Sequence, residues 1–188
     1  MSTWHNTRSR ILVAAAFMLT SASMLAQTPT ASGTINATLT NKNGIALVFD
    51  TDPSGVTLGA AGSSNASLSF GTISAFGPLS PGVTRPSVTA ASFTVRSPFD
   101  IQVIQGGLTS TSYTLSASLA GPAPTGLSYK VDTVTLTTAA QRIQANGVYD
   151  TDVAHNLDLV VSTASPGAGG PAVGTPLTAT INFTATAN

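Results

Sequence analysis

Apolar and polar residues alternate with a period of two along most of this chain. Residues 176–187 (PLTATINFTATA) put Leu177, Ala179, Ile181, Phe183 and Ala185 on one face. Thr178, Thr180, Asn182, Thr184 and Thr186 fall on the other. Residues 111–119 alternate in the same way through Tyr113, Leu115, Ala117 and Leu119, and residues 156–163 through Leu157, Leu159 and Val161. Residues 32–40 (SGTINATLT) repeat the pattern with Ile35, Ala37 and Leu39. A repeat of two is the mark of a half-buried strand, because successive side chains point to opposite faces. Residues 44–49 (GIALVF) are almost continuously apolar, as in a buried strand. Shorter β segments are expected at 56–58, 66–70, 88–95, 99–104, 127–131, 133–137 and 148–149.

Turn chemistry separates these runs. Asn43-Gly44, residues 50–55 (DTDPSG), Gly106-Gly107, residues 121–126 (GPAPTG) and Asn146-Gly147 all read as turns. Residues 77–86 (GPLSPGVTRP) and 165–174 (SPGAGGPAVG) read as irregular loops. The only helical signal is one turn at 138–144. About eight to ten short strands of uneven spacing predict an all-β fold, an antiparallel β-sandwich rather than a closed barrel.

The first 26 residues break this pattern. Arg8 and Arg10 precede a short apolar run, residues 11–19 (ILVAAAFML), which passes into small and polar residues at 20–26 (TSASMLA). That order predicts a secretory signal cleaved after Ala26, with Ala22 as the alternative site. The run is too short to span about 30 Å of hydrocarbon as a helix. The expected organisation is therefore a signal at 1–26 and one β-sandwich domain at 27–188. Within that domain, residues 27–43 serve either as a donor strand or as an ordinary first strand. The expected location is secreted: periplasm, cell surface or extracellular space.

Charge narrows the function. Only 7% of the 188 residues are charged, and 42% are hydrophobic. There is no Glu and no Cys. Without Arg8 and Arg10, five basic residues face seven Asp, a balance of −2. No basic stripe is present for nucleic acid. The lack of Cys excludes disulfides and thiolate metal sites. Low charge gives little colloidal protection, which suits a chain that assembles with protein partners or with itself.

Candidate chemistry is sparse. His155 is the only His beyond the signal, and its position beside Asn156 suggests a solvated surface residue. No Ser stands in a G-x-S-x-G elbow. Phe49-Asp50-Thr51-Asp52 and Tyr149-Asp150-Thr151-Asp152 are near copies. Asp50, Asp52, Asp150 and Asp152 could offer oxygens to Ca²⁺, or could cap strand ends as Asx turns; the second use fits their turn positions better. The only Trp, Trp4, lies in the signal. Tyr113 reads as core, leaving Tyr129 and Tyr149 as isolated rings for a glycan platform. Asn36, Asn65 and Asn182 open glycosylation-type triplets, which come easily in a chain rich in Thr and Ser. No catalytic residue, cofactor or metal site is expected.

Residues 68–73 (LSFGTI), with their apolar-x-Phe-Gly strand end, and residues 174–188 (GTPLTATINFTATAN), an alternating run closing the chain after a Gly, resemble segments of bacterial pilin-like and fimbrial subunits, including the spore-coat-U-like group. Residues 32–40 stand where those families carry a donor strand. The chain departs from them in having no Cys, and Ala187 where the classical pilin end has an aromatic. The resemblance implies an immunoglobulin-like sandwich and assembly by strand exchange, with no catalytic residues. The expected function is an exported, non-enzymatic structural or adhesive cell-surface subunit. The alternative is a monomeric secreted module binding a glycan or a calcium-dependent partner.

Overall fold

The structure, a computed structural model, describes the backbone of residues 30–37 and, in full, residues 44–165, 169–171, 174 and 176–188. The expected signal at 1–26 lies outside these residues. Eleven strands and no helix are present among them. They are β1 (Thr30–Ala37), β2 (Ile45–Asp50), β3 (Asn65–Thr72), β4 (Thr84–Val88), β5 (Ser92–Gln105), β6 (Tyr113–Leu119), β7 (Leu127–Val131), β8 (Val134–Thr135), β9 (Gln141–Gly147), β10 (Asp152–Ser162) and β11 (Leu177–Ala187).

The strands form two sheets packed face to face. The first has the order β3-β1-β11-β6-β9, and the second the order β2-β5-β10-β7-β8, with β4 also pairing β5. Every pairing is antiparallel except β1 with β11, which is parallel. The period-two runs put their apolar sets inside. Tyr113, Leu115, Ala117 and Leu119 are buried on β6, and Leu157, Leu159 and Val161 on β10. Leu177, Ile181 and Phe183 do the same on β11. The centre of the core is aromatic. The Phe183 ring meets Phe49 and Phe99 edge-on, at centroid distances of 5.5 and 5.9 Å, so residues of both sheets interlock.

Several local expectations are corrected. Residues 88–95 and 99–104 are not two strands broken at Pro98; β5 runs unbroken through it. Pro98 pairs Asn156 on β10, while its carbonyl faces Gly55 across the gap between β4 and β2 on the other side. The missing N–H falls where no strand needs it, which is how a sheet accommodates proline. Residues 56–58 form no strand and instead begin a strap. The Val56 N–H donates to the Ser97 hydroxyl at 3.2 Å and the Leu58 N–H to the Thr51 hydroxyl at 3.0 Å. The strap then bridges both sheets: Gly59 exchanges hydrogen bonds with Ser67 on β3, and the Phe49 N–H on β2 donates to the Ser63 carbonyl. Each strand edge on this side is thereby bridged at one position, β2 at Phe49 and β3 at Ser67.

The helical turn expected at 138–144 is replaced by β9, whose Ile143 packs against the core. Residues 148–149 are not a strand. The turn falls at Tyr149-Asp150, with Asp150 at φ 57, while Asn146-Gly147 completes β9. Gly147 is required there because the Tyr113 ring lies directly over it.

Candidate functional site

The most distinctive feature is the placement of β1. It lies inside the first sheet, second in the strand order, antiparallel to β3 and parallel to β11. Its register with β11 is continuous from Ala31↔Leu177 to Ala37↔Phe183. With β3 it slips once, between Ala31 and Ser32. The backbone alone therefore fills a slot whose walls are two strands with apolar inner faces. The β3 wall offers Ala66, Leu68 and Phe70, and the β11 wall Leu177, Ile181 and Phe183. The β3 wall is anchored without β1, because the 58–63 strap ties it to β2. The β11 wall is anchored by β6.

Ala37 lies opposite Phe183, towards the end of the sandwich where Ile45 begins β2 opposite Gln105. Of the alternating run 32–40, residues 32–37 pair the closing strand β11. Residues 38–40 lie outside the described residues.

The four Asp of the paired motifs are not brought together as a set. Asp50 on β2 stands directly opposite Asp100 on β5, and Asp152 on β10 opposite Gln102, two residues along β5. Burial raises the Asp100 carboxyl above the usual carboxylate range, and the negative charges of Asp52, Asp152 and Asp50 raise it further. Asp100 Oδ1 is buried without a hydrogen-bond partner. Asp52 is an Asx cap: its Oδ1 accepts the Ser54 N–H at 2.7 Å and the Ser54 hydroxyl at 2.6 Å. Asp150 sits apart, its Oδ1 accepting the Gln105 N–H at 3.4 Å. Among the described residues no three His, Cys, Asp or Glu side chains are arranged to hold a metal ion.

His155 is not a surface residue. It is 3% exposed, on the inner face of β10, in line with Leu157 and Leu159. Its Nδ1 lies 2.9 Å from Asp132 Oδ2, and Asp132 Oδ1 accepts the Asn156 N–H at 2.9 Å. The other ring nitrogen, Nε2, is buried without a partner. The period-two pattern already held this answer, since His155 precedes Leu157 by two. Asp132 had no such signal. It belongs to the tight β7–β8 hairpin with φ 55, a conformation Asp tolerates better than most residues. Among the described residues the Asp132 carboxylate is the one side chain that His155 bonds, which makes the pair a buried polar anchor between β10 and the β7–β8 turn.

A second polar anchor lies on the outer face. Asp158 stands between Arg96 on β5 and Lys130 on β7 in register. Arg96 grips it with two hydrogen bonds, of 2.6 and 2.8 Å. The tyrosines are structural as well. Tyr113 and Tyr129 are buried, and Tyr149, 6% exposed, donates its hydroxyl to the Ser112 carbonyl at 3.0 Å. None of the three rings offers an open face to a sugar.

Comparison of the chain with family models, with curated proteins and with solved structures finds no match.

Proposed function

We propose that this chain is an exported, non-catalytic structural or adhesive subunit that assembles at the cell surface by exchanging its first strand. The observation that carries this reading is the position of β1 between β3 and β11. β1 is an interior strand whose removal leaves both neighbours anchored elsewhere, β3 by the 58–63 strap and β11 by β6. The walls then present two open edges and a strip of apolar core, which an extended segment of another copy can fill by adding a strand. The alternating pattern of residues 32–40 supplies the register, since a slip of one residue would turn the apolar set outward. The low charge, the export-type first 26 residues and the pilin-like strand ends at 68–73 and 174–188 support the same reading. An immunoglobulin-like strand arrangement belongs to this proposal.

The test is a chain lacking residues 27–41. A donor role predicts a folded acceptor that no longer self-associates and that binds an added peptide of residues 32–40 with micromolar or tighter affinity. Loss of the fold without rescue by peptide would make β1 an ordinary first strand. A stable monomer indifferent to peptide would also refute strand exchange.

A further inference from the structure

The two strands that pair in parallel share a sequence. Residues 32–38 read SGTINAT and residues 178–184 read TATINFT, so Thr-Ile-Asn stands in both. The sheet aligns the copies in register: Thr34 is opposite Thr180, Ile35 opposite Ile181 and Asn36 opposite Asn182. On the other side of β1, Asn36 is opposite Asn65 of β3. Asn65, Asn36 and Asn182 therefore form one row across three strands. Asn65 is exposed and Asn182 partly buried, so both ends of the row lie on the wet face of the sheet. The next rows of this kind are of hydroxyl residues: Ser67, Thr34 and Thr180, then Ser69, Ser32 and Thr178.

The intervening rows differ in size. Gly33 stands between Leu68 and Ala179, and Ile35 between Ala66 and Ile181. Leu68, Ala66 and Ile181 are buried. The small residue of β1 thus falls beside the bulky Leu68, and the bulky one beside the small Ala66. Sizes matter here because alternation alone does not fix the register. A slip of one residue reverses the faces, but a slip of two restores them. A slip of two in one direction brings Ile35 beside Leu68 and overpacks that wall. In the other direction Gly33 falls beside Ala66 and Ile181 and leaves a void. Both slips take Asn36 out from between Asn65 and Asn182. A carboxamide donates and accepts at once, so amides in one row can bond from strand to strand, as in the asparagine ladders of in-register sheets.

We infer that Gly-Thr-Ile-Asn at 33–36 is the register key of the slot: Gly33 and Ile35 match the sizes of its walls, and Asn36 completes the amide row between Asn65 and Asn182. As a rule for which segment another copy inserts, this rests on the strand-exchange reading; as a rule for where β1 sits, it stands without it. The slot selects an extended strand with a small residue, any residue, Ile and Asn in succession. Alternation is not enough, and β6, which alternates equally well, has no such succession.

The chain has no Cys, so introduced pairs report the register in the full chain. Ser32→Cys with Thr178→Cys sets two thiols directly opposite each other. Thr34→Cys with Thr178→Cys sets them two residues out of register, roughly 8 Å between Cα atoms, which is too far for a disulfide. Under mild oxidation the first pair should close and the second should not. Ile35→Gly, Asn36→Thr, Ala37→Ile and Thr38→Asn together move the key two residues along while keeping the alternation, and should reverse the two results. Asn36→Thr alone keeps the inner sizes and should let both pairs close. Closure of the first pair alone in the moved-key variant overturns the key. Closure of the first pair alone in Asn36→Thr overturns the amide row, and the whole inference if the moved-key variant does not fold. Non-reducing gels separate links within a chain from links between chains. Links confined to single chains that follow the moved key refute strand exchange and leave the key standing. Linked oligomers whose register ignores the moved key refute the key and leave strand exchange standing.

Discussion

His155 Nδ1 and Asp132 Oδ2 meet at 2.9 Å, joining the inner face of β10 to the turn that follows β7. The imidazole is enclosed, with the Phe99 ring 6.1 Å from it, while the carboxylate keeps about a third of its surface in water. One carboxylate therefore serves two donors from neighbouring residues, the His155 ring and the Asn156 backbone. The turn cannot shift without orphaning both.

The Asp132 carboxyl is pulled two ways. Burial alone would raise it, but the hydrogen bonds from His155 and the Asn156 N–H outweigh that and hold it below the usual carboxylate range. A carboxyl depressed by folding contributes stability that is fully present above its unfolded value, about 4, and is lost as pH falls through the lower folded value. Thermal melts between pH 6 and 2 should show this loss, and Asp132→Ala should flatten that part of the profile. At neutral pH the same variant should cost about 1–3 kcal/mol, since a buried imidazole and a backbone N–H lose their acceptor. An unchanged acid limb in Asp132→Ala would assign the acid sensitivity to other carboxylates.

Asp100 makes the opposite prediction. Its carboxyl is raised, by burial first and then by Asp52, Asp152 and Asp50. A raised acid destabilises the fold when ionised, so the penalty is full above the folded value and vanishes below the unfolded one. Asp100→Asn should therefore raise Tm at pH 7, and the gain should disappear below about pH 4. A loss of stability at pH 7 would mean that the charge is compensated after all.

These two carboxylates mark what the sequence could and could not disclose. The strands were legible wherever one face is buried and the other wet, because alternation is then imposed residue by residue. That holds for β6, β10 and β11, whose inward residues were identifiable in advance. Alternation also placed His155 inside, had its spacing from Leu157 outweighed its polarity. Pro98 misled, because whether a proline interrupts a strand depends on what lies beside it, and only the tertiary arrangement leaves a gap between β4 and β2. Asp100 and Asp50 are neighbours through sheet register alone, across about fifty positions of sequence. The slot around β1 is likewise a property of strand order. No local pattern carries it, although the regularity of residues 32–40 and 176–187 indicated the two strands that pair.

The aromatic centre sets the scale of core stability. Phe183 is fully buried and contacts Phe49 and Phe99 edge-on, so one ring links both sheets. Phe183→Leu should cost about 1–2 kcal/mol and Phe183→Ala about 3–5 kcal/mol, because the cavity lies where neither sheet can collapse into it. Urea denaturation measures both. If β1 is held mainly by this region of β11, the Ala variant should also bind the 32–40 peptide less tightly in the truncated chain.

The strap offers a test of close packing separated from backbone conformation. Gly55 does not need a left-handed φ; what it needs is space. A Cβ there would stand 2.2 Å from the Pro98 carbonyl oxygen, well inside van der Waals contact. That oxygen is main chain in the central strand β5 and cannot rotate away, so the strap would have to lift. Lifting it would strain the adjacent Val56 bond to Ser97 and the loop that packs behind, where Gly82 lies against Gly55 itself. Gly55→Ala should therefore cost more than about 2 kcal/mol, in the range of overpacked core sites. Gly62, in the same strap, is the control. It has open space around it but sits at φ 79, so Gly62→Ala meets only the backbone penalty, about 1 kcal/mol. The order of the two urea midpoints decides the matter. Gly55→Ala below Gly62→Ala places the limit on the strap's approach to β5; the reverse order would place it on the turn's left-handed residue and leave the close approach without energetic weight.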